Sequence, residues 1–306
     1  MASKKGTGKK KSSNKLFIFI FTVFFLGCIG MIDYPYVARY INDRIQGNVV
    51  TDYDSSVSSA TNIEKLLKDA KSYNKSLFSG VLGDPFSVDN KEDNTYRSLL
   101  SVDSSGVMGT IEIPSISVKL PIYHGTSEDT LQKGAGHLFG SSLPVGGKGT
   151  HSCISAHRGL PNKKMFTNLD LLKKGDIFYI HVLDKTLEYK IYEIETVLPT
   201  NVESLQIQDG KDLVTLITCT PYGINSHRLY VHAKRIPLDS VEETEVVQDE
   251  SNPLTLKAWL VMYWWIPVTI LMLELLLFID GKEFILWSIS NGYSAFSYSS
   301  TLCRTS

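Results

Sequence analysis

Cysteine is scarce in this 306-residue chain, with Cys28, Cys153, Cys219 and Cys303 the only four. Cys28 lies in an apolar run and Cys303 in the tail, so the pattern excludes the disulfide framework of a small secreted scaffold. An excess of one charge is also lacking. Lys and Arg number 31 against 32 Asp and Glu, a net charge of −1, which excludes the broad basic field of a nucleic-acid binder. No internal repeat marks a solenoid. No His/Cys/Asp/Glu spacing reads as a zinc site, and no acidic cluster stands out for calcium. The sequence therefore calls for no cofactor and no metal.

Long apolar runs, by contrast, are present. Lys4, Lys5, Lys9, Lys10, Lys11 and Lys15 crowd the N-terminus, and Leu16 to Ile32 follows as an uncharged stretch. A second run, Ala258 to Ile279, is broken only by Glu274 and carries Trp259, Tyr263, Trp264 and Trp265 near one end. Each is long enough to span, or nearly span, a bilayer core of about 30 Å. The lysines predict an inside N-terminus, an exit after Ile32, and a return through the second run. Competing readings are a cleaved signal peptide or a weak lipoprotein box at Phe25–Cys28 for the first run, and a buried core helix for the second. The intervening domain is then expected outside a cell membrane.

Between the runs the chain predicts a helical segment over 33–75. Tyr36, Val37, Tyr40, Ile41 and Ile45 fall on a helical stripe, and Thr61–Glu64 has the form of a capping box. Residues 76–106, with Gly80, Gly83, Asp84-Pro85 and Asn94, read as a long loop of lid or linker type. From Val107 to about 240 the pattern is of short strands: 108–113, 118–123, 150–156, 177–182, 187–197, 213–218 and 229–235. Pro and Gly breakers separate them, and one short helix fits near 168–174. The fold class expected is mainly β, a closed barrel or sandwich with helices at its N-terminal edge. Residues 241–257 form an acidic, polar linker, and 280–306 a Ser- and Tyr-rich tail.

The chemistry concentrates at strand ends. Leu213 to Cys219 is an apolar strand ending in a thiol, Thr220 to His227 is turn-rich, and Arg228 opens the next strand. If these strands pair as a hairpin, Cys219 and Arg228 face each other. A nearby cation favours the nucleophilic thiolate, and a guanidinium offers fixed donors to an oxyanion. His157, ending the stretch from Thr150, is the candidate acid or base, with His227 its rival. Cys153 sits four residues before His157, roughly 13 Å along a strand. If His157 stands beside Cys219, that is too far for Cys153 to bridge Cys219, and it reads as a core thiol; a Cys153–Cys219 disulfide is the competing reading.

Thr215-Leu-Ile-Thr-Cys219, Ser155-Ala-His157-Arg-Gly-Leu-Pro161 and Arg228 stand in the order and spacing of the sortases, and the chain resembles that family over about residues 75–240. Asp84-Pro85-Phe86 and the second apolar run resemble class C, the pilus-assembly sortases of Gram-positive bacteria. The resemblance implies a sortase β-barrel and a cysteine transpeptidase with Cys219 as nucleophile, His157 as proton carrier and Arg228 as carbonyl or oxyanion ligand. It implies that Asp84 and Phe86 form a lid, with Asp84 on Arg228 and Phe86 over Cys219. The implied partners are pilin subunits bearing a Leu-Pro-x-Thr-Gly-like signal (LPXTG) and an acceptor lysine. The alternatives are a wall-anchoring housekeeping sortase, a plain cysteine protease, and a non-catalytic membrane scaffold.

Overall fold

The computed structural model describes residues 12–77, 84, 86, 94–160 and 162–237. They belong to the first of two units into which the chain divides, Met1–Ser240 and Val241–Ser306. The linker, the second apolar run and the tail, along with Lys4 to Lys11, lie outside the described residues.

Eight strands close a barrel: β1 (Val107–Ile113), β2 (Val118–His124), β3 (Ala135–His137), β4 (Thr150–Ser155), β5 (Ile177–Val182), β6 (Lys185–Val197), β7 (Asp212–Thr220) and β8 (His227–Arg235). The order around it is β1-β2-β3-β4-β7-β8-β6-β5, with β5 returning to β1. All pairs are antiparallel except β2–β3 and β4–β7. The mainly β expectation holds, and seven strands fall where alternation and breakers put them. The eighth, β3, was absent from the expected set. It has three residues and no alternation to read, and it sits where only glycine fits: a Cβ on Gly136 would lie 2.3 Å from the Gly125 carbonyl oxygen.

Side-chain alternation sorts the strands into two faces. Ile111, Ile122, Ile154, Phe178, Ile180, Val214, Leu216 and Val231 fill the interior. On the other face of β4, β7 and β8, Cys153, Ile217 and Tyr230 pack with Leu138, Val197 and Leu205 into a second cluster. Cys153 is a fully buried free thiol, as expected, and burial pushes its pKa up to about 12.

The helices needed more correction. One helix, α1 (Ser12–Ser59), runs unbroken from the first apolar stretch through the segment read as separate, with Pro35 inside it. At about 1.5 Å per residue it is about 70 Å long. The stripe from Tyr36 to Ile45 is helical but exposed. The helix docks instead through a different set of positions, Gln46, Val50, Tyr53 and Val57. Tyr53 Oη donates to the Met108 carbonyl (3.1 Å) and accepts from the Leu183 amide (3.0 Å), joining α1 to two strands' ends. Helix α2 (Ile63–Ser76) has Asn62 and not Thr61 as its N-cap, and that side chain makes no capping bond, so the Thr61–Glu64 capping box does not form. Asn74 of α2 instead brackets the Leu143 backbone, donating to its carbonyl and accepting from its amide. The long loop contains a short helix, α3 (Asn94–Ser98), which buries Tyr96. The helix near 168–174 shrinks to a single 3-10 turn, Leu169–Leu171. A further short helix, α4 (Glu128–Leu131), precedes β3.

Candidate active site

Strand pairing alone assembles most of the site. β4 and β7 are parallel with Ser155 beside Ile217, so His157 and Cys219 follow at the same end of neighbouring strands. The Ala156 amide donates to the Ile217 carbonyl (3.1 Å), and Thr218 Oγ1 donates to the Ala156 carbonyl (2.8 Å), extending the register to that end. β8 runs antiparallel to β7 with Arg228 directly opposite Cys219. Directly opposed residues have Cα atoms about 4.5–5.5 Å apart. β-Branched residues make β7 a good strand, and Pro221 and Gly223 then turn the chain back.

His227 pairs with Thr220, one step along from Arg228, so alternation sends its side chain to the other strand face. It bonds its neighbour Ser226 (2.9 Å). The rival histidine is thus not grouped with Cys219 and Arg228.

The turn after His157 is pinned at several points. The Phe166 amide donates to the His157 carbonyl (3.1 Å). Arg158 donates to Thr220 Oγ1 (3.0 Å) and pairs with Asp170 (2.7 Å), which ties this turn to the end of β7. Gly159 has φ +85°, and a Cβ there would meet the Tyr222 ring at 3.0 Å. The sequence reading singled out neither Arg158 nor Glu128. Glu128 Oε1 lies 3.3 Å from His157 Nε2. A strand-centred reading passes over a carboxylate in a four-residue helix.

Asp84 and Phe86 reach into this group. Arg228 donates twice to Asp84, from Nε to Oδ1 (2.8 Å) and from Nη2 to Oδ2 (2.7 Å), a fork-on-fork ion pair with both side chains largely buried. The remaining guanidinium nitrogen, Nη1, donates to the Asn225 and His227 carbonyls. Phe86 packs near both Arg228 and His157. Its ring centroid is 5.0 Å from the Arg228 guanidinium and 6.1 Å from the His157 ring. The ring also packs on the second apolar cluster.

The electrostatics oppose the thiolate. Burial raises the pKa of Cys219, Arg228 lowers it, and Asp84 raises it again, for a net rise. With Asp84 engaged, much of the help that Arg228 could give to a negative charge is spent on the carboxylate. Among the described residues no group of three or more His, Cys, Asp or Glu could hold a metal ion.

Comparison with known proteins bears on what such a group does. Residues 111–236 match the sequence profile described as Sortase domain. A crystal structure of sortase C-1 from Actinomyces oris is 49% identical and covers 57% of this chain and 99% of its own, with a TM-score of 0.55. Sortase C of Streptococcus pneumoniae, whose structure is described as bearing on pilin substrate specificity, is 48% identical over 62% of this chain and 97% of its own (TM-score 0.59). Sortase A of Streptococcus agalactiae is 33% identical over 189 residues, 60% of this chain and 70% of that protein.

Proposed function

We propose a specific function from the premise that this chain belongs to the sortase family, as its Sortase domain, its 33% identity to a sortase A and its 49% identity to a sortase C establish. It is a sortase-type cysteine transpeptidase. The function we assign within that family is polymerisation of pilins. Higher identity to sortase C than to sortase A favours this over wall anchoring.

Cys219 is the nucleophile. Its thiolate attacks the Thr carbonyl of a Leu-Pro-x-Thr-Gly-like signal, and Arg228 donates to the oxyanion that forms. As the tetrahedral intermediate collapses, the C–N bond breaks. The departing Gly nitrogen takes a proton from the imidazolium of His157, leaving a thioester. The amine of a lysine on a second pilin then attacks the thioester and gives a proton back to His157. The Cys219 thiolate leaves, and an isopeptide bond remains. The pairing of Cys219 with Arg228 across β7 and β8 is the observation that carries this reading.

Asp84 and Phe86 act as a lid in this scheme. The carboxylate occupies the donors an oxyanion would need, and the ring fills space between Arg228 and His157. The chain is anchored by α1, the N-terminal helix long and apolar enough to cross a membrane, with the barrel on the outer face of a Gram-positive cell.

The full chain in detergent, wild type and Cys219→Ala, incubated with pilin subunits and resolved by denaturing gel and mass spectrometry, tests the assignment. A Cys219-dependent ladder whose links lack the Gly-containing tail is expected. Cleaved monomers without a ladder, from enzyme lacking the Asp84 and Phe86 side chains as well, would replace polymerisation by hydrolysis or anchoring.

A further inference from the structure

The reaction just described takes a proton from His157 once and returns one to it once per turnover, beside a permanent cation. Arg228 lies at the same end of the barrel, and Phe86 bridges the two groups. Asp84 neutralises Arg228 only while it is bound there. Once Asp84 leaves, the positive charge near the forming imidazolium is uncompensated from that side. The adjacent Arg158 adds another, itself held by Asp170.

A compensating charge is present elsewhere. Among the described residues, Glu128 is the one carboxylate within ion-pair reach of His157, with Oε1 3.3 Å from Nε2. The ring nitrogen is buried and no hydrogen bond to it is formed, so the contact is an ion pair when the ring is protonated. Local structure fixes the carboxylate. Ser127 caps α4 by accepting from the Thr130 amide, which places Glu128 at the first helical position. Gln132 Nε2 donates to the same Oε1 at 2.7 Å. That bond, and less strongly His157, holds the Glu128 carboxyl below its usual pKa, so it carries charge at neutral pH. The Glu128 side chain is 68% exposed, and solvent therefore weakens its field at the ring.

We infer that Glu128, oriented by Gln132, is a positioning residue for His157 that stabilises the imidazolium during proton transfer. It touches no reacting atom. It acts by favouring the protonated ring and by keeping Nε2 on its own side. The other groups bearing on that proton are Cys219 from β7, Arg228 from β8, Asp84 from the loop, and Arg158 from the following turn. Glu128 supplies the negative charge that stays when Asp84 is gone.

The inference rests on the proposed role of His157, and the test separates the two. The full chain in detergent, carrying Asp84→Ala and Phe86→Ala to open the site, is assayed with a fluorogenic Leu-Pro-x-Thr-Gly peptide across pH 5–10. Glu128→Gln should lower kcat at neutral pH by about 3- to 10-fold with KM little changed. The arm of the pH profile that reports the histidine proton should move to lower pH by about half to one unit, the expected range for losing a solvent-screened opposite charge. Glu128→Asp should restore most of both, with the melting temperature the same in all three. An unmoved pH profile in Glu128→Gln, while Cys219→Ala and His157→Ala are inactive, overturns the role of Glu128 alone. Full activity in His157→Ala would instead overturn the reading on which it rests.

Discussion

Burial raises the pKa of the Cys219 thiol most, and two opposed charges, Arg228 and Asp84, act on it as well. Arg228 favours the thiolate and Asp84 disfavours it, on top of the cost of burial. Removing Asp84 therefore acts in two ways, lowering the thiol pKa and freeing the guanidinium. Asp84→Ala should raise the rate of Cys219 alkylation by iodoacetamide at pH 7 by about tenfold, because the carboxylate that disfavours the thiolate is gone. Mass spectrometry of the labelled peptide measures it, and an unchanged rate would count against Asp84 as a brake. Cys153 gives the internal control. Fully buried, with a pKa pushed up to about 12, it should stay unlabelled while the protein is folded. The places of the two cysteines were readable in sequence, because a thiol ending a strand opposite an arginine differs from one inside a strand. Glu128 was not readable, since its partner lies 29 positions away and meets it only when β3 pairs with β4.

The elements divide by how local their signals are. β7 and β8 announced themselves through alternation and a Pro/Gly turn, and their pairing brought Cys219 to Arg228. β3 had no pattern to read, because close approach to Gly125, not side-chain burial, dictates its composition. In α1 the apolar stripe from Tyr36 to Ile45 gave the helical period correctly, yet the residues buried on the barrel are Gln46, Val50, Tyr53 and Val57. Periodicity records which face is apolar and not where along the helix the domain sits. Tyr53 tests that docking. Its hydroxyl serves the Met108 carbonyl and the Leu183 amide, both out of reach of water. Tyr53→Phe keeps the ring and orphans these groups, so it should cost about 1–3 kcal/mol in chemical denaturation. A change under about 0.5 kcal/mol, the scatter of an ordinary surface substitution, would mean that α1 docks without this bond.

For the whole molecule, buried histidines couple folding to acidity. His137 and His151 are lowered from 6.5 to about 4, chiefly by burial. His137 bonds Tyr96 and the Ser142 carbonyl, and His151 bonds Thr215 and the Gln206 carbonyl, so each ties strands to the loops packed on them. The rings are neutral when folded and take up protons when unfolded. Their stabilisation is therefore complete above about pH 6.5 and is lost as pH falls toward about 4. The melting temperature should decline across that window, before carboxylates near 4 add their own loss. A flat profile from pH 7 to 4.5 would place the two rings in contact with solvent. The unbroken course of α1 carries a different consequence. Asn42 on this helix donates to the Asn162 carbonyl, in the turn that follows His157, ten positions beyond Ile32. Ten helical residues measure about 15 Å. On the proposed placement of residues 16–32 in the bilayer, the barrel would be less a head on a tether than a tool on a short mast, held at one height above the lipid. A substrate held in the same membrane would reach such a site by sliding sideways, and the proposed joining would then follow crowding on the surface rather than amount in the medium.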